Sequence, residues 1–106
     1  MKNQNTPKIA VIGFGEAGSC LCKGWGLGDV RAFDIKQHGD ALLAAEKVAQ
    51  MSAAGVIIGD DPASIASGTD IIFSTVTADQ AYAAASAVAK SIKQGAYYLD
   101  LNSCAP

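Results

Sequence analysis

The sequence holds no apolar run near the roughly 20 residues that a membrane-spanning helix requires, and its opening stretch, Met1 to Pro7, is polar where an export signal would be apolar. Its three cysteines, Cys20, Cys22 and Cys104, are an odd count. That fits a reducing compartment better than a disulfide framework. A cytoplasmic chain is therefore expected. The single histidine, His38, lies in a polar stretch and reads as a surface residue rather than a base. Cys20 and Cys22 sit two apart on a predicted helix, point to different faces and read as packing residues. No metal site is suggested. A net charge of −2 leaves no basic footprint for nucleic acid or an anionic membrane. Charged residues make up only 17% of the 106 residues and hydrophobic ones 50%. That is enough apolar surface for one core, in a chain too short for two domains.

What the sequence does have is alternation. Lys8 to Ile12, Val30 to Phe33, Val56 to Ile58, Ile71 to Val76 and Ala96 to Leu101 are short apolar runs with the character of buried strands. Helices are predicted between them. The first runs from Glu16 to about Lys23, ahead of the glycine-rich Gly24 to Gly28, and the second from Asp40 to Ala53, before Gly55. A short helix opens at Pro62 and ends by Gly68. A longer one spans Asp79 to Ile92, with Tyr82, Ala85, Val88, Ala89 and Ile92 predicted as its buried stripe. Strands and helices in alternation imply parallel strands joined by right-handed crossovers. The fold class is α/β, a Rossmann doubly wound parallel sheet of five strands in the order 3-2-1-4-5. Ligands are then expected at the carboxyl ends of the strands, near the switch between the first and fourth. Residues 1–7 read as a flexible lead and 8–106 as one domain.

Directly after the first strand comes Gly13-Phe14-Gly15-Glu16-Ala17-Gly18, and an acid, Asp34, ends the second strand. A glycine-spaced loop alone is a weak signal. Strand before, helix after and an acid about 20 residues on are the context that makes it a dinucleotide fingerprint. Gly13 would permit the tight turn, Gly15 would let backbone approach a pyrophosphate, and Gly18 would let the helix lie close on the sheet. Free N–H groups at the helix start favour the anion. Glu16 reads as a first-turn acid with no assigned role. A carboxylate at Asp34 can accept from ribose hydroxyls and would repel a 2′-phosphate, which favours NAD; Lys36 could soften that repulsion and leaves NADP open.

Two further stretches carry a resemblance. Asp70-Ile71-Ile72-Phe73-Ser74-Thr75-Val76-Thr77-Ala78-Asp79 resembles the fourth strand and following loop of the β-hydroxyacid dehydrogenases, and Asp100-Leu101-Asn102-Ser103-Cys104-Ala105-Pro106 resembles their substrate-loop motif, Asp-x-Ser-Thr-x-x-Pro. The resemblance implies that Val76 and Thr77 line the nicotinamide-ribose side of the cofactor, although the family usually has Leu-Pro there. It also implies that Asn102 and Ser103 contact a small hydroxyacid substrate, with Ser103 reaching the cofactor too. Read without it, Asn102 and Ser103 suit a helix start equally well, because Pro106 fits a first turn.

The family's acid/base is a lysine within Gly-x-x-Gly-x-Gly-x-x-x-Lys, and no such run occurs in this sequence. No residue of the chain is thus expected to be catalytic. The sequence reads as the cofactor-binding five strands of a longer oxidoreductase, binding cofactor without turnover. The rival reading is a nucleotide-sensing regulatory module of the kind that gates potassium uptake, towards which Gly59-Asp60 after the third strand points. The fifth strand would lie at an open sheet edge, so self-association through residues 96–101 is a further expectation.

Overall fold

The computed structural model describes residues 8–15, 18–20, 22 and 30–101. Five strands carry the fold: β1 (Ile9–Ile12), β2 (Val30–Phe33), β3 (Ile57–Ile58), β4 (Ile71–Ser74) and β5 (Tyr97–Asp100). Residues 18–20 and 22 are helical and form the described part of α1. The other helices are α2 (Ala41–Ala54), α3 (Pro62–Ala66) and α4 (Ala78–Ala89), and a single 3-10 turn spans Ile35–His38. All strand pairs are parallel, and the sheet order is β3-β2-β1-β4-β5. The expected α/β fold and strand order are both present.

Side-chain alternation in β1 builds the two layers. Ile9 and Val11 face one cluster with Phe14, Cys22, Val30, Ala32, Met51 and Val56. Ala10 and Ile12 face the other, with Phe33, Ile65, Ala66, Ile72, Ala84 and Val88. A strand whose successive side chains point to opposite faces, both of them covered, must be apolar throughout. That is why β1 reads as an unbroken hydrophobic run.

Helix ends follow local chemistry. Asp40 accepts a hydrogen bond from the Leu42 N–H, and Asp61 one from the Ser64 N–H with Pro62 in the first turn. The 3-10 turn, in contrast, is not announced by any hydrophobic period. It is held by a reciprocal cap between Asp34 and Gln37.

The structure corrects α4. Tyr82 is 83% exposed and Ala89 is exposed, while Ala84 and Val88 are the buried pair. A large aromatic biased the predicted stripe; the helix packs instead through Ala84 and Val88, one turn apart on a single face. Cys20 is also exposed, whereas Cys22 lies in the core, where burial pushes its thiol pKa up to about 11. β4 stops at Ser74, two residues short of the predicted end, because Thr75 turns to bond the loop after β1.

Register places the functional end. Ile12 lies opposite both Phe33 and Ser74. The central three strands therefore finish together, and their loops lie where the connections diverge, from β1 to β2 on one side and from β3 back across to β4 on the other. In a doubly wound sheet that divergence opens a crevice.

Candidate functional site

The crevice is built around the turn after β1. Gly13 has φ +96°, a left-handed conformation that side-chain-bearing residues rarely adopt. Its N–H donates to Phe33 O at 2.7 Å, and its carbonyl accepts from Thr75 Oγ1 at 2.8 Å. The turn is thus tied to β2 on one side and to the end of β4 on the other. A methyl group at Gly18 would fall 2.2 Å from the Gly13 carbonyl oxygen. Only glycine lets the helix start this close to the turn. Gly15 is the opposite case: a methyl there would meet no atom of the described residues beyond its chain neighbours within 4 Å. Packing does not require that glycine, and the space beside it stays open.

Asp34 is only 7% exposed. Its Oδ2 accepts the Phe14 N–H at 2.7 Å and its Oδ1 accepts the Lys36 N–H at 2.9 Å. Its own N–H donates to Gln37 Oε1 at 2.9 Å, and Gln37 Nε2 donates to Gly59 O at 2.9 Å. The end of β2 is thereby bound to the glycine turn and to the loop after β3. With the Gln37 N–H of the reciprocal cap, three backbone donors share the four acceptor sites of this carboxylate.

Gly13, Gly15, Asp34, Lys36, Val76 and Thr77 line one cavity of about 200 Å³. Ile35, Val76 and Gln80 are shared between it and an apolar groove of about 400 Å³ floored by Ile12, Phe33, Pro62 and Ala84. The two spaces adjoin across these three residues. On the other side of the glycine turn lies a larger hollow of about 560 Å³, bounded by Phe14, Gly15, Ser19, Lys47 and Gln50. Lys47 is 8% exposed and its Nζ donates to Phe14 O at 2.8 Å.

Five of the residues singled out from the sequence, Gly13, Gly15, Asp34, Val76 and Thr77, therefore meet around one space. Gly18 lies beneath the turn. Phe14, expected from the sequence to bind cofactor, buries its side chain in the core, gives its N–H to Asp34 and its carbonyl to Lys47, and does not line this cavity. Glu16, Ala17, Asn102 and Ser103 lie outside the described residues, as does the 1–7 lead. Three neighbours went unnoticed in the sequence: Lys47, Thr75 and Gln80. Lys47 carries a readable signal, since it stands four residues before Met51 on the only buried stripe of α2. Thr75 and Gln80 carry none, because their roles depend on how β4 meets β1. Among the described residues no cluster of His, Cys, Asp or Glu could hold a metal, and no helix is long and apolar enough to cross a membrane.

A glycine turn between β1 and α1, an acid closing β2 and a crevice at the strand switch define a Rossmann-type fold. This fold is similar to that of 3-hydroxyisobutyrate dehydrogenase and related oxidoreductases. A conserved hypothetical protein from Sinorhizobium meliloti 1021 matches with a TM-score of 0.81 and 31% identity, over 93% of this chain and 34% of that one. Mycobacterium tuberculosis 3-hydroxyisobutyrate dehydrogenase, solved with L-serine, matches at TM-score 0.71 and 19% identity over 90% of this chain and 31% of the other. An imine reductase variant from Myxococcus stipitatus, in complex with NAD+, gives 0.68 and 19% over 95% and 33%. The chain thus spans about a third of the length of the solved chains it matches. No protein-family model and no curated protein matches the sequence.

Proposed function

We propose that this chain is the NAD(P)-binding domain of an oxidoreductase whose substrate is a small 3-hydroxy or 2-hydroxy acid. The observation that carries the reading is the contrast among the three glycines. Gly13 and Gly18 are required by the fold, whereas no described residue packs against the Gly15 position, which borders the crevice. A glycine kept where packing tolerates a side chain fits close approach of a ligand to backbone. The Asp34 carboxylate lies on the rim of the same cavity, with one of its four acceptor sites not taken by the Phe14, Lys36 and Gln37 N–H groups. The adjoining apolar groove suits a flat heterocycle.

In this reading the cofactor supplies hydride transfer and the domain supplies orientation. The glycine turn receives the pyrophosphate, Asp34 accepts from ribose hydroxyls, and Val76 and Thr77 flank the nicotinamide side. Asn102 and Ser103 are assigned to substrate. The hydroxyacid class rests on the closing heptapeptide Asp100 to Pro106 and on the similarity in fold to 3-hydroxyisobutyrate dehydrogenase. The chain on its own is expected to bind cofactor without turnover, since the sequence has no Gly-x-x-Gly-x-Gly-x-x-x-Lys run.

Titration of the chain with NADH and NADPH, followed by cofactor fluorescence, tests the reading. Saturable binding is expected, tighter for NADH because the 2′-phosphate would face Asp34. Failure of both cofactors to bind below millimolar concentration would overturn it.

A further inference from the structure

Lys47 is the one buried cation among the described residues that the proposed binding site leaves unexplained. It occupies an inward position of α2, beside Met51, where an aliphatic side chain would pack without any cost of burying charge. Among the described residues no carboxylate pairs with it. Its one hydrogen bond among the described residues goes to Phe14 O at 2.8 Å.

That carbonyl belongs to the peptide unit joining Phe14 to Gly15, and the preceding unit donates its Phe14 N–H to Asp34 Oδ2 at 2.7 Å. Opposite charges therefore grip the two peptide planes flanking the Phe14 Cα. The chain has no cis peptide among its described residues. In a planar trans unit the C=O and N–H point in opposite directions. With Phe14 O drawn towards α2, the Gly15 N–H must aim away from α2, to the side where Gly13, Gly15 and Asp34 line the crevice. No described group accepts from that N–H. A cation on the carbonyl also polarises the amide, strengthening its N–H as a donor.

We propose that Lys47 is a positioning residue: by holding the Phe14 carbonyl it orients and polarises the Gly15 N–H towards an anionic diphosphate. The inference rests on the dinucleotide-binding reading above and adds to it a residue that touches no part of the ligand.

The test compares the wild-type chain with Lys47→Met, Lys47→Gln and Lys47→Arg. Each is titrated with NADH, ADP and adenosine, with thermal unfolding recorded alongside. Lys47→Met is expected to weaken NADH and ADP by about three- to thirtyfold and to leave adenosine, which has no phosphate, within about twofold of wild type. Lys47→Arg, which restores a charged donor, should recover most of the loss. A side chain serving only stability would lower all three affinities together, in step with the melting temperature, and that pattern overturns the proposal. So does unchanged ADP affinity in Lys47→Met. Should Lys47→Met fail to fold, Lys47→Gln, of similar reach but uncharged, carries the same comparison. A wild-type chain that binds neither NADH nor ADP overturns the dinucleotide reading itself, and the role of Lys47 with it.

Discussion

At the scale of single residues, the three glycines of the loop separate folding from binding. Gly18→Ala drives a methyl into the Gly13 carbonyl at 2.2 Å. Relieving that clash demands backbone movement, and a loss of about 1–3 kcal/mol is expected in denaturant unfolding. Gly15→Val meets no atom of the described residues beyond its chain neighbours within 4 Å of its Cβ. It should melt close to wild type and lose NADH binding. In the proposed reading Asp34 carries both kinds of duty. Asp34→Asn replaces one carboxylate acceptor with a donor facing either the Phe14 or the Lys36 N–H, so a destabilisation of about 1–3 kcal/mol is expected. It should also narrow the preference for NADH over NADPH, read from the ratio of the two dissociation constants. The position of Asp34 was legible in the sequence, because an acid after a strand is a local pattern. Its partner Phe14 was not: that bond spans 20 positions and exists only once β1 and β2 pair.

Among the elements, long apolar strands were the easiest to read and small-residue helices the hardest. β1, β2 and α2 emerged at nearly their observed bounds, because β-branched runs and a capping aspartate are local signals. The buried face of α4 did not, since alanines carry almost no periodic contrast and Tyr82 supplied a false one. At the opposite end of the sheet from the crevice, Asp70 fastens three strands. Its Oδ2 accepts the Lys8 N–H at the entry to β1, its Oδ1 pairs with Lys93 at 2.5 Å, and its carbonyl accepts the Tyr97 N–H of β5. The Lys93 hydrogen bond, followed by the Lys8 N–H, holds the Asp70 carboxyl below its ordinary value of 3.8. A carboxylate depressed in the folded state stabilises above its unfolded pKa, and the contribution fades as pH falls through the folded one. Asp70→Asn should therefore melt below wild type at pH 7, with the gap closing as the solution is acidified below the ordinary carboxylate range. A gap that persists in strong acid would refute this assignment.

For the molecule as a whole, the edges of the sheet differ. β3 has two residues and offers little to pair with, whereas β5 has four and, among the described residues, pairs only with β4. Tyr97, Leu99 and Leu101 are exposed along it. Such an edge templates association, so sedimentation should show self-association rising with concentration, reduced by Leu99→Lys. Strictly monomeric behaviour at high concentration would contradict the prediction. The strand order of the molecule was legible because alternating elements admit few parallel arrangements. The Lys47 contact was not, because it needs α2 and the glycine turn to be brought together across 33 positions.

All of this converges on the open space beside Gly15. The most direct measurement is a calorimetric titration of NADH into the wild-type chain and into Gly15→Val, each checked for an intact melting transition. Saturable binding by wild type and none by an equally folded Gly15→Val is the predicted result. Equal affinity in the two proteins, or no heat of binding in either, would contradict it.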